Sequence, residues 1–403
     1  MNVSVIIPAH NAASTLAETL ESLLDQTHPC WEAIIVDDGS SDDTSAIAGY
    51  FAEQDKRFHL LRQPQEGVCV ARNNGIAQAR FDLLLFLDAD DWILPQHLER
   101  LTKVIVANPG LDAAYCGWSY VTPEGKHVFG EFGGLTGDLF AEHAQYCFSV
   151  IHTYLVRRAL VESVGGFDPA LRTCEDWDLW QRIARTGAHF GAVREKLALY
   201  RIRPNSATSN GHQLLADGLQ VLTRGHSADP RLLYQHPVYP EGLSKELLTK
   251  NKFDLLCACA GYVIGGGKDA RLLLEALKDE SYPKLHPYKV ARAVFTHAMI
   301  AAAQPRTKWY ELWPNLSEQL KAFLVALEIH SETPELAHRA YSFSKSLMLK
   351  YAADPRLDRR FGSVQAHVKL GIHEQLKKLF VSWYYFKRRF SVAPAIAPHS
   401  KQG

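Results

Sequence analysis

At 403 residues, with 47% hydrophobic and 22% charged residues, the chain can bury a large core and is long enough for two domains. Lysine plus arginine and aspartate plus glutamate each total 44, so no whole-chain field draws in a polyanion and nucleic acid is not an expected partner. The seven cysteines are scattered without a CxxC pair, which predicts a reducing, cytoplasmic setting. The N-terminal MNVSVIIPAHN lacks a basic region followed by a signal-type apolar stretch, because its β-branched run stops at Pro8. The longest apolar run, Leu255 to Gly267, falls short of the about 18 residues that cross a bilayer.

The first half alternates strand and helix patterns. Val3 to Ile7 reads as a strand, and Ser14 to Gln26 as a helix with Ser14 as N-cap. Glu32 to Val36 is a second strand closing on Asp37-Asp38-Gly39-Ser40, followed by a helix over Thr44 to Gln54. A short strand at Phe58 to Arg62, a helix near Val70 to Ala79 and a strand at Leu83 to Leu87 complete the pattern. Strands separated by helices of this length predict an α/β fold whose mostly parallel sheet is covered on both faces. Ligands of such sheets bind beyond the carboxyl ends of the strands, where Pro8 to Asn11, Asp37-Asp38 and Asp88-Ala89-Asp90 all fall.

Asp88, Asp90 and Asp91 follow an apolar run of strand length. Carboxylates one residue apart at a strand end offer hard oxygen ligands to Mg²⁺ or Mn²⁺, which would neutralise a diphosphate. The same residues could instead form an Asx-type turn and cap the helix that begins near Pro95. Glu175-Asp176-Trp177-Asp178 opens a helical segment ending at Gly187, where acids in a first turn also serve the helix dipole. The glycines of Gly130 to Gly137 are read as an acceptor-side loop or an ordinary surface loop.

The segments VSVIIPAHN, IIVDDGSSDDT, GVCVARNNGI, LLFLDADDW, GGFD and EDWDLWQRIARTG occur in this order. Together they resemble the inverting glycosyltransferases of family 2, over about residues 1 to 206. That resemblance implies a GT-A fold in residues 1–210, and the pattern of the remainder predicts a mostly helical domain in residues 211–403. It also implies a nucleotide-diphosphate sugar donor, usually UDP-linked, and a divalent metal, Mn²⁺ or Mg²⁺. The expected acceptor is a glycan or lipid-linked hydroxyl in cell-surface polysaccharide synthesis.

Residue by residue, the resemblance makes Asp38 the acceptor of a hydrogen bond from the base, with Pro8 and Asn11 lining the same pocket. Arg72 would close over the nucleotide, Asp88 would reach the uridine side and bind metal, and Asp90 would hold the metal. Asp176 would be the general base, with Glu175 and Asp178 as neighbouring alternatives. Many relatives carry a histidine where this chain has Arg203, which cannot ligate a cation and would take over part of the charge neutralisation. A sugar nucleotidyltransferase is the alternative class of enzyme, although it would show a glycine-rich basic loop where Pro8-Ala9-His10-Asn11 stands. A catalytically inactive GT-A binding protein is the other alternative.

Beyond about residue 212 the pattern is helical, with breaks at Asp229-Pro230, Pro237 to Pro240, Pro305 and Thr333-Pro334. These helices would complete an acceptor site or a contact in a homo-oligomer. Leu376, Leu379, Phe380, Trp383, Phe386 and Phe390 fall at helical spacing among Lys377, Lys378, Lys387, Arg388 and Arg389. A basic aromatic stripe over 372–390 would suit either an anionic surface on the inner membrane face or a packed core.

Overall fold

The computed structural model describes residues 1–203 and 210–352. The basic aromatic stripe over 372–390 and Pro204 to Ser206 therefore lie outside the described residues. In chain order the strands and helices begin β1 (Val3–Ala9), α1 (Leu16–Leu24), β2 (Trp31–Asp38), α2 (Thr44–Gln54), β3 (Phe58–Gln63), α3 (Val68–Gln78) and β4 (Leu83–Phe86). There follow β5 (Trp92–Ile93), α4 (His97–Ala107), β6 (Ala113–Val121), β7 (His127–Glu131), β8 (Gly137–Asp138), α5 (Phe140–His143), β9 (Tyr154–Arg157) and α6 (Arg158–Ser163). The rest are α7 (Glu175–Arg185), β10 (His189–Arg201), α8 (Gly211–Gly225), α9 (Lys245–Gly265), α10 (Pro287–Ala301), α11 (Trp309–Ser331) and α12 (Leu336–Ala352).

The sheet runs β3-β2-β1-β4-β9-β6-β10-β5, with β7 added to β6 and β8 to β10. Its first four strands are parallel, as the alternation predicts. Beyond β4 it becomes mixed, because β9 runs antiparallel to both β4 and β6. This is a GT-A-like α/β sheet with a helical C-terminal region.

The parallel strands β1, β2 and β4 are buried on both faces, so period-two alternation sorts their side chains between two cores. Val3, Val5, Ile7, Leu83 and Leu85 face one core, where Leu16, Leu20 and Leu23 of α1 and Leu98, Leu101 and Ile105 of α4 pack. Ile6, Ile34, Val36, Leu84 and Phe86 face the other, against α3 and α7. Gly75 lets α3 approach closely: a Cβ there would lie 2.4 Å from the Ile6 side chain. A third core joins α9, α10, α11 and α12.

One local expectation is corrected and another narrowed. Ser14 is not the N-cap of α1; Thr15 occupies that position, and its hydroxyl donates to the Ala89 carbonyl at 2.8 Å. Gly130 lies within β7, opposite Ser119, and Gly137 within β8, while residues 132–136 between them, with Gly133 and Gly134, form the expected loop. The short β5 uses Trp92 and Ile93 to pair with β10 directly after the aspartates.

Candidate active site

Register aligns the carboxyl ends of the parallel strands. Ala9 pairs with Asp37 across β1 and β2, Asp38 with Gln63 across β2 and β3, and Ile6 with Phe86 across β1 and β4. The loops leaving these strands consequently meet at one edge, as the sequence pattern predicts.

At this edge Asp38 is buried and heavily used. Its carboxylate accepts from Gln63 Nε2 and the Glu66 amide, both at 2.8 Å, and from the Gly67 amide at 2.9 Å. Three of the about four lone-pair positions of an ionised carboxylate are thereby engaged. Pro8 is buried within β1. Asn11 has φ +48°, and its side-chain oxygen accepts from the Ser41 amide at 2.8 Å, tying the β1–α1 loop to the β2–α2 loop. Beside it, His10 Nδ1 must carry the proton, because it lies 2.8 Å from the Asp38 carbonyl, an acceptor only. His10 Nε2 then accepts from the Asn11 and Gln65 amides, each at 3.2 Å.

Helix α3 spreads three consecutive polar side chains across the site. Arg72, 2% exposed, donates from Nη1 to Glu175 and from Nη2 to Asp88, each at 2.7 Å, above the Phe167 ring. Burial alone would lower its pKa, but the Asp88 and Glu175 carboxylates outweigh that and hold the guanidinium firmly charged. Asn73 exchanges two hydrogen bonds with the Phe167 backbone at 2.8 and 2.9 Å. Asn74 donates to Gln63 at 2.8 Å, and Gln63 in turn donates to Asp38. Gly166 has φ +67°, and a Cβ there would lie 2.5 Å from Asn73 Oδ1, so the GGFD turn needs glycine at this position.

The three aspartates after β4 divide their roles. One oxygen from each lies within 4.8 Å of the others. Asp88 is held by Arg72, while Asp90 forms an ion pair with Arg203. Burial and the Asp88 charge raise the Asp90 pKa, and Arg203 opposes them. Asp91 points into the protein: its Oδ1 accepts from the Arg201 amide at 2.7 Å and its Oδ2 lies 3.2 Å from His152 Nδ1. Burial pushes its carboxyl well up and lowers His152 to about 4, so both favour their neutral forms. Arg201, which sequence reasoning missed, also donates to the Asp90 and Pro123 carbonyls at 2.8 and 2.7 Å, bonds Glu18 and stacks on Trp92. Its position just before Arg203 was the available signal.

Helix α7 brings in the last group. Asp217 of α8 fixes the preceding turn by accepting from the Arg172 amide at 3.2 Å and from the Thr173 amide and hydroxyl, both at 2.9 Å. Cys174 at φ +59° then starts the helix. Asp176 is half-buried; burial raises its carboxyl to about 7, the Glu175 charge adds to this, and Arg72 and the Trp177 amide oppose it. Asp178 is fully buried among Arg182, Arg224 and Arg231 at 2.8 to 3.0 Å, which makes it structural rather than an alternative base.

A cavity of about 1350 Å³ joins these parts to the C-terminal helices. Arg72, Asp88, Glu175, Asp176 and Arg203 line it, together with residues of α9 and α10. Pro8, Asn11, Asp38 and Asp90 are not among the described residues lining it.

The sequence profile described as Glycosyl transferase family 2 matches residues 4–151. A putative teichuronic acid biosynthesis glycosyltransferase, TuaG of Bacillus subtilis (strain 168), is 31% identical over 214 residues, covering 52% of this chain and 82% of the relative. An uncharacterised glycosyltransferase of Rickettsia bellii (strain RML369-C) is 30% identical over 222 residues, 55% of this chain. The match spans only 32% of that relative's length. Among solved structures, S. aureus TarS superposes with a TM-score of 0.47 at 17% identity, covering 86% of this chain and 55% of that one. The ordered motifs, the profile and the match across most of TuaG place the chain in glycosyltransferase family 2.

Proposed function

We propose that the protein transfers a sugar from a nucleotide-diphosphate donor, a UDP-sugar, to an acceptor hydroxyl with inversion, in the assembly of a cell-surface polysaccharide. Family membership supports the transferase reading, and TuaG's description as a teichuronic acid biosynthesis enzyme supports the polysaccharide setting. The observation that carries the proposal is Asp176, which opens α7 on the wall of the cavity shared with Asp88 and Arg72 and has its carboxyl raised to about 7. A single in-line displacement needs a base to take the acceptor proton, and a base works best with a pKa near the working pH.

The nucleoside belongs at the edge formed by Pro8, Asn11 and Asp38, where Asp38 has one lone-pair position left for a base N–H. Arg72 acts by holding Asp88 and Glu175 in place, since both ends of its guanidinium are engaged. The all-oxygen donor set of Asp88 and Asp90 fits Mg²⁺ or Mn²⁺, which would supply charge neutralisation to the diphosphate leaving group. Asp91, 1% exposed, with one oxygen on the Arg201 amide and burial favouring its protonated form, is less suited to join them, and Arg203 shares the neutralising role beside Asp90.

The test is transfer from a panel of nucleotide sugars, with the anomeric configuration of the first product read by NMR. An inverted product from a UDP-sugar is expected. A retained configuration would overturn the inverting mechanism, and neither transfer nor hydrolysis of any donor would overturn the enzyme assignment.

A further inference from the structure

The cavity that Asp176 lines is also walled by α9 and α10. Lys289, Arg292, Ala293, Thr296, His297 and Ile300 of α10 line it at intervals of three and four, a single helical face. Lys268, just beyond α9, also lines the cavity, but toward the far end of α10, since Gly265 packs on Ala298 and Ala301. All three cations are exposed, and none has a carboxylate partner among the described residues. Other cations of this helical region are paired: Lys250 with Asp254, Lys252 with Glu280, Arg271 with Asp269 and Lys308 with Glu311.

The carboxylates of the cavity are placed elsewhere. Asp88, Glu175 and Asp176 sit at the sheet edge, Glu124 and Glu131 belong to the β6–β7 hairpin, and Asp254 is paired with Lys250 at 2.8 Å. The two remaining cavity arginines are also committed, Arg72 to Asp88 and Glu175, and Arg203 to Asp90. A chain with no net charge thus keeps two uncompensated cations, Lys289 and Arg292, about one turn apart on the α10 wall of this cavity, with Lys268 farther along. Little more than a turn along α10 from Arg292, the wall offers neutral groups suited to a sugar. His297 donates from Nδ1 to the Ala293 carbonyl at 2.7 Å, which leaves Nε2 as an acceptor, and the Tyr262 ring packs edge-on at 5.0 Å.

We infer that the acceptor is an anionic glycan, whose phosphate or carboxylate docks on Lys289 and Arg292 while a hydroxyl is presented to Asp176. The inference rests on the reading of Asp176 as the base and adds the chemical class of the acceptor. Exposed cations of this kind contribute long-range attraction as well as contact, so binding should weaken steeply with salt.

The test compares binding of phosphorylated maltodextrin, oligogalacturonate and neutral maltodextrin to the full chain at low and high salt. The parent should bind both anionic oligomers more tightly than the neutral one. Lys289→Glu/Arg292→Glu should weaken the anionic oligomers by about tenfold or more and flatten the salt dependence. Lys289→Gln/Arg292→Gln serves as a gentler variant, and UDP affinity in each variant reports the integrity of the donor site. Equal affinity for charged and neutral oligomers, or anionic binding unchanged by the charge reversal, would overturn the inference. Failure of the parent to bind UDP would count against the donor reading and leave the oligomer comparison standing. Competition by farnesyl diphosphate would place the anion in a lipid-linked diphosphate, and lack of competition would place it within the glycan; the charge reversal decides whether it docks on this wall at all.

Discussion

Arg72 and Glu175 lie 103 positions apart in sequence and meet at 2.7 Å in the interior of the site. With Asp88 on its other amino group, Arg72 joins α3, the end of β4 and the start of α7. A rigid two-pronged donor suits this position in a way that a single ammonium does not. It also separates two adjacent acids: Glu175 is paired, while Asp176 feels the Glu175 charge and keeps its proton to about pH 7.

Removing this guanidinium should therefore cost both stability and pH tuning. Arg72→Ala leaves Asp88 and Glu175 without their partner, and breaking a buried pair costs about 3–5 kcal/mol. Urea unfolding should register most of that loss. Arg72→Lys, which can satisfy one carboxylate at a time, should fall between the parent and the alanine variant. A change below about 1 kcal/mol for Arg72→Ala would show that the pair carries little of the fold.

Asp38 makes a second prediction. Because three donors converge on it, Asp38→Ala should destabilise the β3–α3 connection by about 1–3 kcal/mol, the cost of stranding buried donors, besides weakening UDP binding. Asp38→Asn keeps the shape but turns its NH2 toward the backbone N–H of either Glu66 or Gly67. Calorimetric titration with UDP should show weaker binding in both variants. Unchanged UDP affinity in Asp38→Ala would remove Asp38 from the nucleoside site.

Much of this arrangement is legible in sequence because parallel strands declare themselves. Val3 to Ile7, Glu32 to Val36 and Leu83 to Leu87 are apolar runs bounded by polar turns, and a sheet edge must gather whatever follows them. Short-range chemistry can be read in this way, whereas long-range partners cannot. Nothing in the spacing of ARNN predicts that Arg72, Asn73 and Asn74 bond Glu175, Phe167 and Gln63 respectively. Asp178 shows the same limit, since it shares a helical turn with Asp176 but faces three arginines, two of which come from α8 and the segment after it. The mixed half of the sheet escaped notice for another reason. Strands β6, β9 and β10 carry residues such as Gly117, Tyr154 and Lys196 in no simple alternation, and β10 contains register shifts around Lys196.

Arg203 and Asp90 define a third prediction. An arginine against the carboxylate competes with a cation for the same oxygen, so Arg203→His should tighten Mn²⁺ binding by about tenfold or more, with imidazole available as a ligand. Titration calorimetry with Mn²⁺ and UDP would measure it. Asp90→Asn should weaken the same binding and lower turnover by about 10²-fold or more. Full turnover of Asp90→Asn in EDTA would remove metal from the reading and leave Arg203 as the neutralising group.

The last prediction concerns Asp176 and follows from the direction of its shift. A carboxyl raised to about 7 is largely protonated at mildly acidic pH, so transfer should rise with pH up to about 7 and then level off. Asp176→Asn is nearly isosteric and should bind UDP normally, yet lose about 10²–10⁴-fold in transfer and lose the acidic limb. Stability moves the opposite way. The folded protein holds the proton at this site between about pH 4 and 7 where the unfolded chain releases it, so the group's contribution declines as pH rises through that window. The Asn variant should lack this decline and be at least as stable as the parent at about pH 8. A residue that only caps α7 would behave otherwise, because Asn caps as well as Asp and neither rate nor pH profile would change. Near-normal transfer by Asp176→Asn alongside an inactive Glu175→Gln would move the base to Glu175.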